Sequence, residues 1–124
     1  MLMVLFFIGW KLTGLIPPPS PELSPEQIAA RLTVHATQTR LGCLVMMFAI
    51  ALYGIWSSVI CLGVYRTESR RFPLFTFCSL VLCGGNVLAF EGMALCWAMG
   101  SFRAGMVSPE VTQAFNDLAF FVLT

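Results

Sequence analysis

Between Arg40 and Arg66 the chain reads LGCLVMMFAIALYGIWSSVICLGVY, a run without a single charged residue. A helix rises about 1.5 Å per residue and a bilayer's hydrocarbon core takes roughly 20 residues to cross, so this run alone is long enough to span one. The rest of the sequence is also apolar: 58% of residues are hydrophobic and 10% charged, with a mean hydropathy of +0.85. An ordinary soluble domain carries about 25% charged residues. The expected fold class is therefore all-α, built from polytopic transmembrane helices. A net charge of +1 with no basic tract gives no reason to expect a nucleic acid partner.

A second run, from Phe72 to Gly100, holds one charge, Glu91, and also exceeds the crossing length with Pro73 placed at its first turn. Residues 41–65 and 73–100 are thus expected to form an antiparallel hairpin of two full spans joined by the loop 66–72. The opening residues 1–16 would reach only about 24 Å as a helix. They read as the end of a first transmembrane helix, closed by the prolines that follow Ile16. A cleaved signal peptide fits less well, because no basic stretch precedes the apolar run and no small-residue cleavage site follows it. Residues 117–124 turn apolar again and read as the start of a further span. Partial spans make both ends look cut, and the sequence leaves open whether the native chain extends beyond these 124 residues.

Orientation comes from the short loops. The loop RTESRR concentrates Arg66, Arg70 and Arg71 against Glu68, whereas 17–40 and 101–116 are close to balanced. Arginine-rich loops stay in the cytoplasm. Residues 17–40, a proline-rich turn and an amphipathic helix, and the loop 101–116 are then extracytoplasmic. Within 17–40, Ser24, Pro25 and Gln27 stand at the N-cap, N1 and N3 positions of a capping box, so a helix is expected to begin at Ser24. Ile28 and Leu32, with His35 one turn on, fall on one side of it.

The residues GW at 9–10, IPPPSP at 16–21, IAA at 28–30, RLG at 40–42, MMFAIALY at 46–53 and FNDLAFF at 115–121 resemble a family of uncharacterised bacterial polytopic membrane proteins. The similarity covers most of the chain. It implies a multi-pass protein of the bacterial inner membrane, with further spans after the NDL motif. It implies no activity, because the family has none to carry over.

Small residues in a helical stripe permit close approach of helices in a bilayer. Ala51, Gly54, Ser58 and Cys61 share one face of the first span, and Gly85, Ala89, Gly92 and Cys96 one face of the second. Mutual packing through these stripes is the expected use, with a homo-oligomeric contact as the rival. The expensive residues are the intramembrane polar ones, Lys11, Asn86 and Glu91. An ionisable group inside a span is a functional candidate by default. Glu91 points about 130° from the small stripe and about 140° from Asn86, so its helix needs neighbours on several sides. Lys11 lies at a similar depth and offers an ion pair to Glu91.

Chemistry of other kinds finds little footing. Five cysteines lie in apolar runs with no C-x-x-C, His35 has no second histidine, and Ser57 and Ser58 have no base nearby in sequence. Asn116 and Asp117 read as the start of a helix. No catalytic group, cofactor or metal is expected. The leading expectation is a non-enzymatic structural or accessory component, packing its helices against the lipid bilayer and against other membrane subunits or copies of itself. The alternative is a small-molecule or ion transporter or channel using Glu91. Substrate, partner identity and oligomeric state leave no mark in the sequence.

Overall fold

The uncharged run folds as one continuous helix, and the computed structural model, which describes residues 2–16, 23–68 and 73–123, places four more helices around it. These are α1 (Leu2–Leu12), α2 (Pro25–Val34), α3 (Ala36–Thr67), α4 (Leu74–Arg103) and α5 (Pro109–Leu123). There is no strand among the described residues. The prolines at 17–19 and Arg70 and Arg71 lie outside the described residues.

α3 has 32 residues and α4 has 30. At about 1.5 Å per residue either is long enough to cross a hydrocarbon core of about 30 Å. Only 28% of the most apolar stretch of α3 is buried inside the chain, and 0% of that of α4. A soluble protein's core helix shows the reverse, because water would drive such side chains inside. Phe48, Ile55, Val59, Phe77, Val81 and Leu88 all point outward.

The two long helices pack antiparallel, and each end of the hairpin is tied by a charged side chain. At one end the Arg40 guanidinium donates to the Ser101 carbonyl at 2.8 Å and lies over the Phe102 ring, 4.0 Å from its centroid. At the other, the Glu68 carboxylate accepts from the backbone N–H of Phe75 (2.6 Å) and Thr76 (2.9 Å) and from the Thr76 hydroxyl (2.6 Å). It thus occupies donors that the first turn of α4 leaves open, with its charge at the favourable end of the helix dipole. Burial pushes the Glu68 carboxyl up, but the three hydrogen bonds to Thr76 and Phe75 pull harder, and it sits below its ordinary value of 4.5. A carboxyl lowered on folding stabilises the fold above its ordinary value and loses that contribution as the pH falls through the lowered one. Glu68→Gln is therefore expected to lower the melting temperature at pH 7 and to melt with wild type below the carboxylate range. A gap between the two curves that persists in acid would refute the capping role.

The other helices gather at the Arg40 end. α1 lies antiparallel to α3, with Gly9 against Gly42 and Met46. It stops before the prolines: the Thr13 hydroxyl donates back to the Trp10 carbonyl at 2.6 Å, and Gly14 turns the chain with φ +71°. A positive φ at the residue after a helix is the habit of glycine, which has no Cβ to clash. Thr39 of α3 then donates to the Thr13 carbonyl at 2.9 Å, and Arg31 of α2 to the Gly14 carbonyl at 3.1 Å.

Ser24 caps α2 in a reciprocal capping box with Gln27, behind Pro25 at the first turn. Ile28 and Leu32 are buried, while His35 is exposed and breaks the helix with φ −106° and ψ 20°. α2 and α3 are therefore two helices with a bend at His35. The segment 101–116 is mostly helical too, with its link confined to 104–108. Pro109 opens α5 behind Ser108, whose carbonyl accepts from Val111 and Thr112. The two Ser-Pro-Glu helix starts lie side by side. The Ser24 side chain and a backbone amide hold Glu26 low, and Glu110 across the gap opposes them in part.

The core is consequently one-sided. Phe6, Ile28, Leu32, Cys43, Met46, Met93, Trp97 and Ala119 form a single cluster at the Arg40 end. Beyond the level of Tyr53 and Asn86 toward the Arg66 end, the hairpin continues as two helices alone among the described residues.

Candidate functional site

Glu91 sits in the fourth turn from the C-terminal end of α4, at the edge of this core. It is half-buried, and its Oε2 atom is shut off from solvent without a hydrogen-bond partner. A buried carboxyl oxygen without a partner is costly in any apolar medium, whatever its protonation state. No other side chain on α4 is left in that condition among the described residues.

The ion pair with Lys11 does not form in this chain. Lys11 is exposed, and among the described residues no bond joins it to Glu91. The reason is the face of α1 that packs. Gly9 and Phe6 are its buried residues. At about 100° per residue Lys11 stands roughly 160° from Gly9, so it points away from the bundle. Similar depth along the bilayer normal was a fair inference; azimuth was not available from it.

Asn86 is exposed on a different flank, beside a cavity of about 170 Å³ between α1, α3 and α4 that Phe6, Ile50, Tyr53 and Phe90 also line. Glu91 is not in that cavity. The three intramembrane polar residues therefore do not converge, and among the described residues no ion pair joins any of them to another group.

The small-residue stripes divide. Gly54 faces α4, where a Cβ placed on it would lie 3.7 Å from Val87 Cγ2. Ser57 is buried beside it and donates to the Gly54 carbonyl, as does the exposed Ser58. Ala51 is exposed. On α4, Gly84 and Val87 share a cavity wall with Gly54, while Gly85 has open space around it and Ala89 and Gly92 are half-buried. The hairpin contact thus runs on a face rotated from the Gly85, Ala89, Gly92 stripe, which leaves Gly85 toward the surroundings. Among the topology arginines, Arg66 is exposed in the last turn of α3.

Two features of the site escaped the sequence. One is a line of rings, Phe7, Trp10, Trp97 and Phe120, that links α1, α4 and α5 through centroid distances of 6.1, 6.3 and 5.5 Å. Trp97 Nε1 donates to Asn116 Oδ1 at 3.3 Å, while Trp10 Nε1 and the Thr112 hydroxyl are buried without partners. The other is the backbone contact at Gly9 and Gly42. Its signal was present in Gly9-x-x-x-Thr13, a small residue one turn from another. Among the described residues no three His, Cys, Asp or Glu side chains stand together as metal ligands.

Glu91 is thus an apolar-setting carboxyl with one unsatisfied oxygen, set where a covered helix becomes an uncovered one. The part of the half-buried side chain that reaches the surface lets the carboxyl turn outward, and only then can Oε2 meet a group outside the chain. Comparison with known proteins adds no relative: no family model, no curated protein and no solved structure matches this chain.

Proposed function

We propose that this chain is a multi-pass component of a bacterial inner membrane, with the Arg66 loop on the cytoplasmic side, and that it works as a structural or accessory subunit of a larger helical assembly. The observation that carries the reading is the Glu91 Oε2 atom, buried and unpartnered beside a two-helix stretch that no other described helix covers. A helix–helix partner that brought a donor to Glu91 would pair with the carboxyl once its side chain turns outward, and would cover the stretch in the same contact. The open surroundings of Gly63 and Gly85 leave room for a second backbone to approach.

A transport path through Glu91 is the rival. It requires polar groups to converge, and Lys11 and Asn86 diverge from Glu91 instead. The deciding experiment is purification in mild detergent, with intact mass and identification of co-purifying subunits. Glu91→Leu is expected to reduce the assembled fraction by about tenfold, the equivalent of roughly 1.4 kcal/mol, within the range of an interhelical hydrogen bond in a membrane. Intact assembly with altered ion or solute flux would overturn the structural reading in favour of transport.

A further inference from the structure

The uncovered half of the hairpin contains a second cavity, of about 330 Å³, between α3 and α4. Gly54, Ser57 and Cys61 line it from α3, and Cys83, Gly84 and Val87 from α4. Cys61 and Cys83 thus face one shared cavity from opposite helices. Cys61 is buried and Cys83 half-buried. The register agrees: with Gly54 against Val87 in an antiparallel pair, the position on α4 opposite Cys61 falls within one turn of Cys83. The remaining cysteines are placed differently. Cys43 is buried at the far end of the bundle, Cys96 is half-buried against the core there, and Cys78 is exposed.

We propose that Cys61 and Cys83 form an oxidisable dithiol site, which closes to a disulfide between α3 and α4. In closing, two S–H bonds break and one S–S bond forms. The two protons and two electrons pass to molecular oxygen under metal catalysis, giving hydrogen peroxide. A disulfide needs its two Cα atoms within about 7 Å. Gly54 and Gly84 beside the pair permit that approach, and the cavity gives the sulfurs room to turn into a bonding rotamer. The bond would fix the part of the hairpin that holds together through two helices only. No C-x-x-C announces the site, because the pairing is made by the hairpin and not by local spacing.

The test uses the full chain in lipid nanodiscs, treated in air with copper(II)–phenanthroline, quenched, denatured and alkylated. Alkylatable thiols are expected to fall from five to three. Peptide mapping should then join the Cys61 and Cys83 peptides within one chain, and a reductant should restore all five. Cys61→Ser and Cys83→Ser should each abolish the loss, and Cys78→Ser should leave it unchanged. Five alkylatable thiols after oxidation, or a disulfide mapped to any other pair or between chains, would overturn the proposal. The wild-type map decides the matter even if a serine variant fails to fold.

Discussion

Replacing Gly42 with leucine is expected to lift α1 off α3. A Cβ at Gly42 would stand 2.5 Å from the Thr13 backbone nitrogen and 2.7 Å from the Gly9 carbonyl oxygen, and both are main-chain atoms that no rotamer change can move. Overpacking of this kind costs about 1 to 3 kcal/mol, and more where backbone must shift. Displacing α1 also breaks the Thr39 to Thr13 hydrogen bond and separates Phe6 from Phe90. The readouts are the melting temperature and the reactivity of Cys43, which is 0% exposed in the adjoining position. Gly42→Leu should melt earlier and expose Cys43 to a maleimide, with Gly42→Ala showing a smaller version of both. Gly63→Ala and Gly84→Ala serve as controls, since nothing lies within 4 Å of a Cβ at either. Inside a helix they should be neutral or stabilising by up to about 1 kcal/mol. A Gly42→Leu protein with wild-type melting and a protected Cys43 would show that α1 does not pack where Gly42 places it.

The same glycine marks the boundary of what the sequence makes legible. An uncharged run from Leu41 to Tyr65 specifies a long apolar helix because hydropathy and length are local properties, and Ser24, Pro25 and Gln27 specify a helix start because a capping box closes within four residues. Which face of a helix meets which neighbour is not local. Ala51, Gly54 and Ser58 do share a face, but only part of it meets α4, since the larger Val87 fills the position opposite Gly54. Gly85 sits one residue from Gly84, and that 100° step separates the side lining the α3–α4 cavity from the open one. Lys11 failed as a partner for Glu91 for the same reason, on a helix whose packed face is set by Gly9. The start of α5 is equally local: Ser108, Pro109 and Glu110 repeat Ser24, Pro25 and Glu26, both triplets open helices, and Asn116 and Asp117 therefore lie inside α5 and do not start it.

Trp97→Ala is expected to be the most damaging single change to the cluster that holds α1 and α5 on the hairpin. Trp97 is 1% exposed, meets Trp10 of α1 and the edge of Phe120 of α5, and donates to Asn116. In water-soluble cores such a truncation costs about 3 to 5 kcal/mol. In a bilayer the unfolded reference is itself apolar, so the transfer part largely cancels, and the cavity and lost dispersion remain. The expected loss is therefore about 2 to 3 kcal/mol, with α5 released first, because Trp97 supplies both its ring contact and its Asn116 bond. Trp97→Phe separates the two contributions. It keeps a ring between Trp10 and Phe120 but removes the Nε1 donor and part of the indole's bulk, so it should cost about 1 to 2 kcal/mol and leave α5 in place. Hydrogen exchange of the α5 amides, measured beside thermal unfolding, distinguishes the cases: fast exchange in Trp97→Ala with near-native protection in Trp97→Phe assigns the clamp to the ring, whereas equal loss in both would assign it to the Asn116 hydrogen bond.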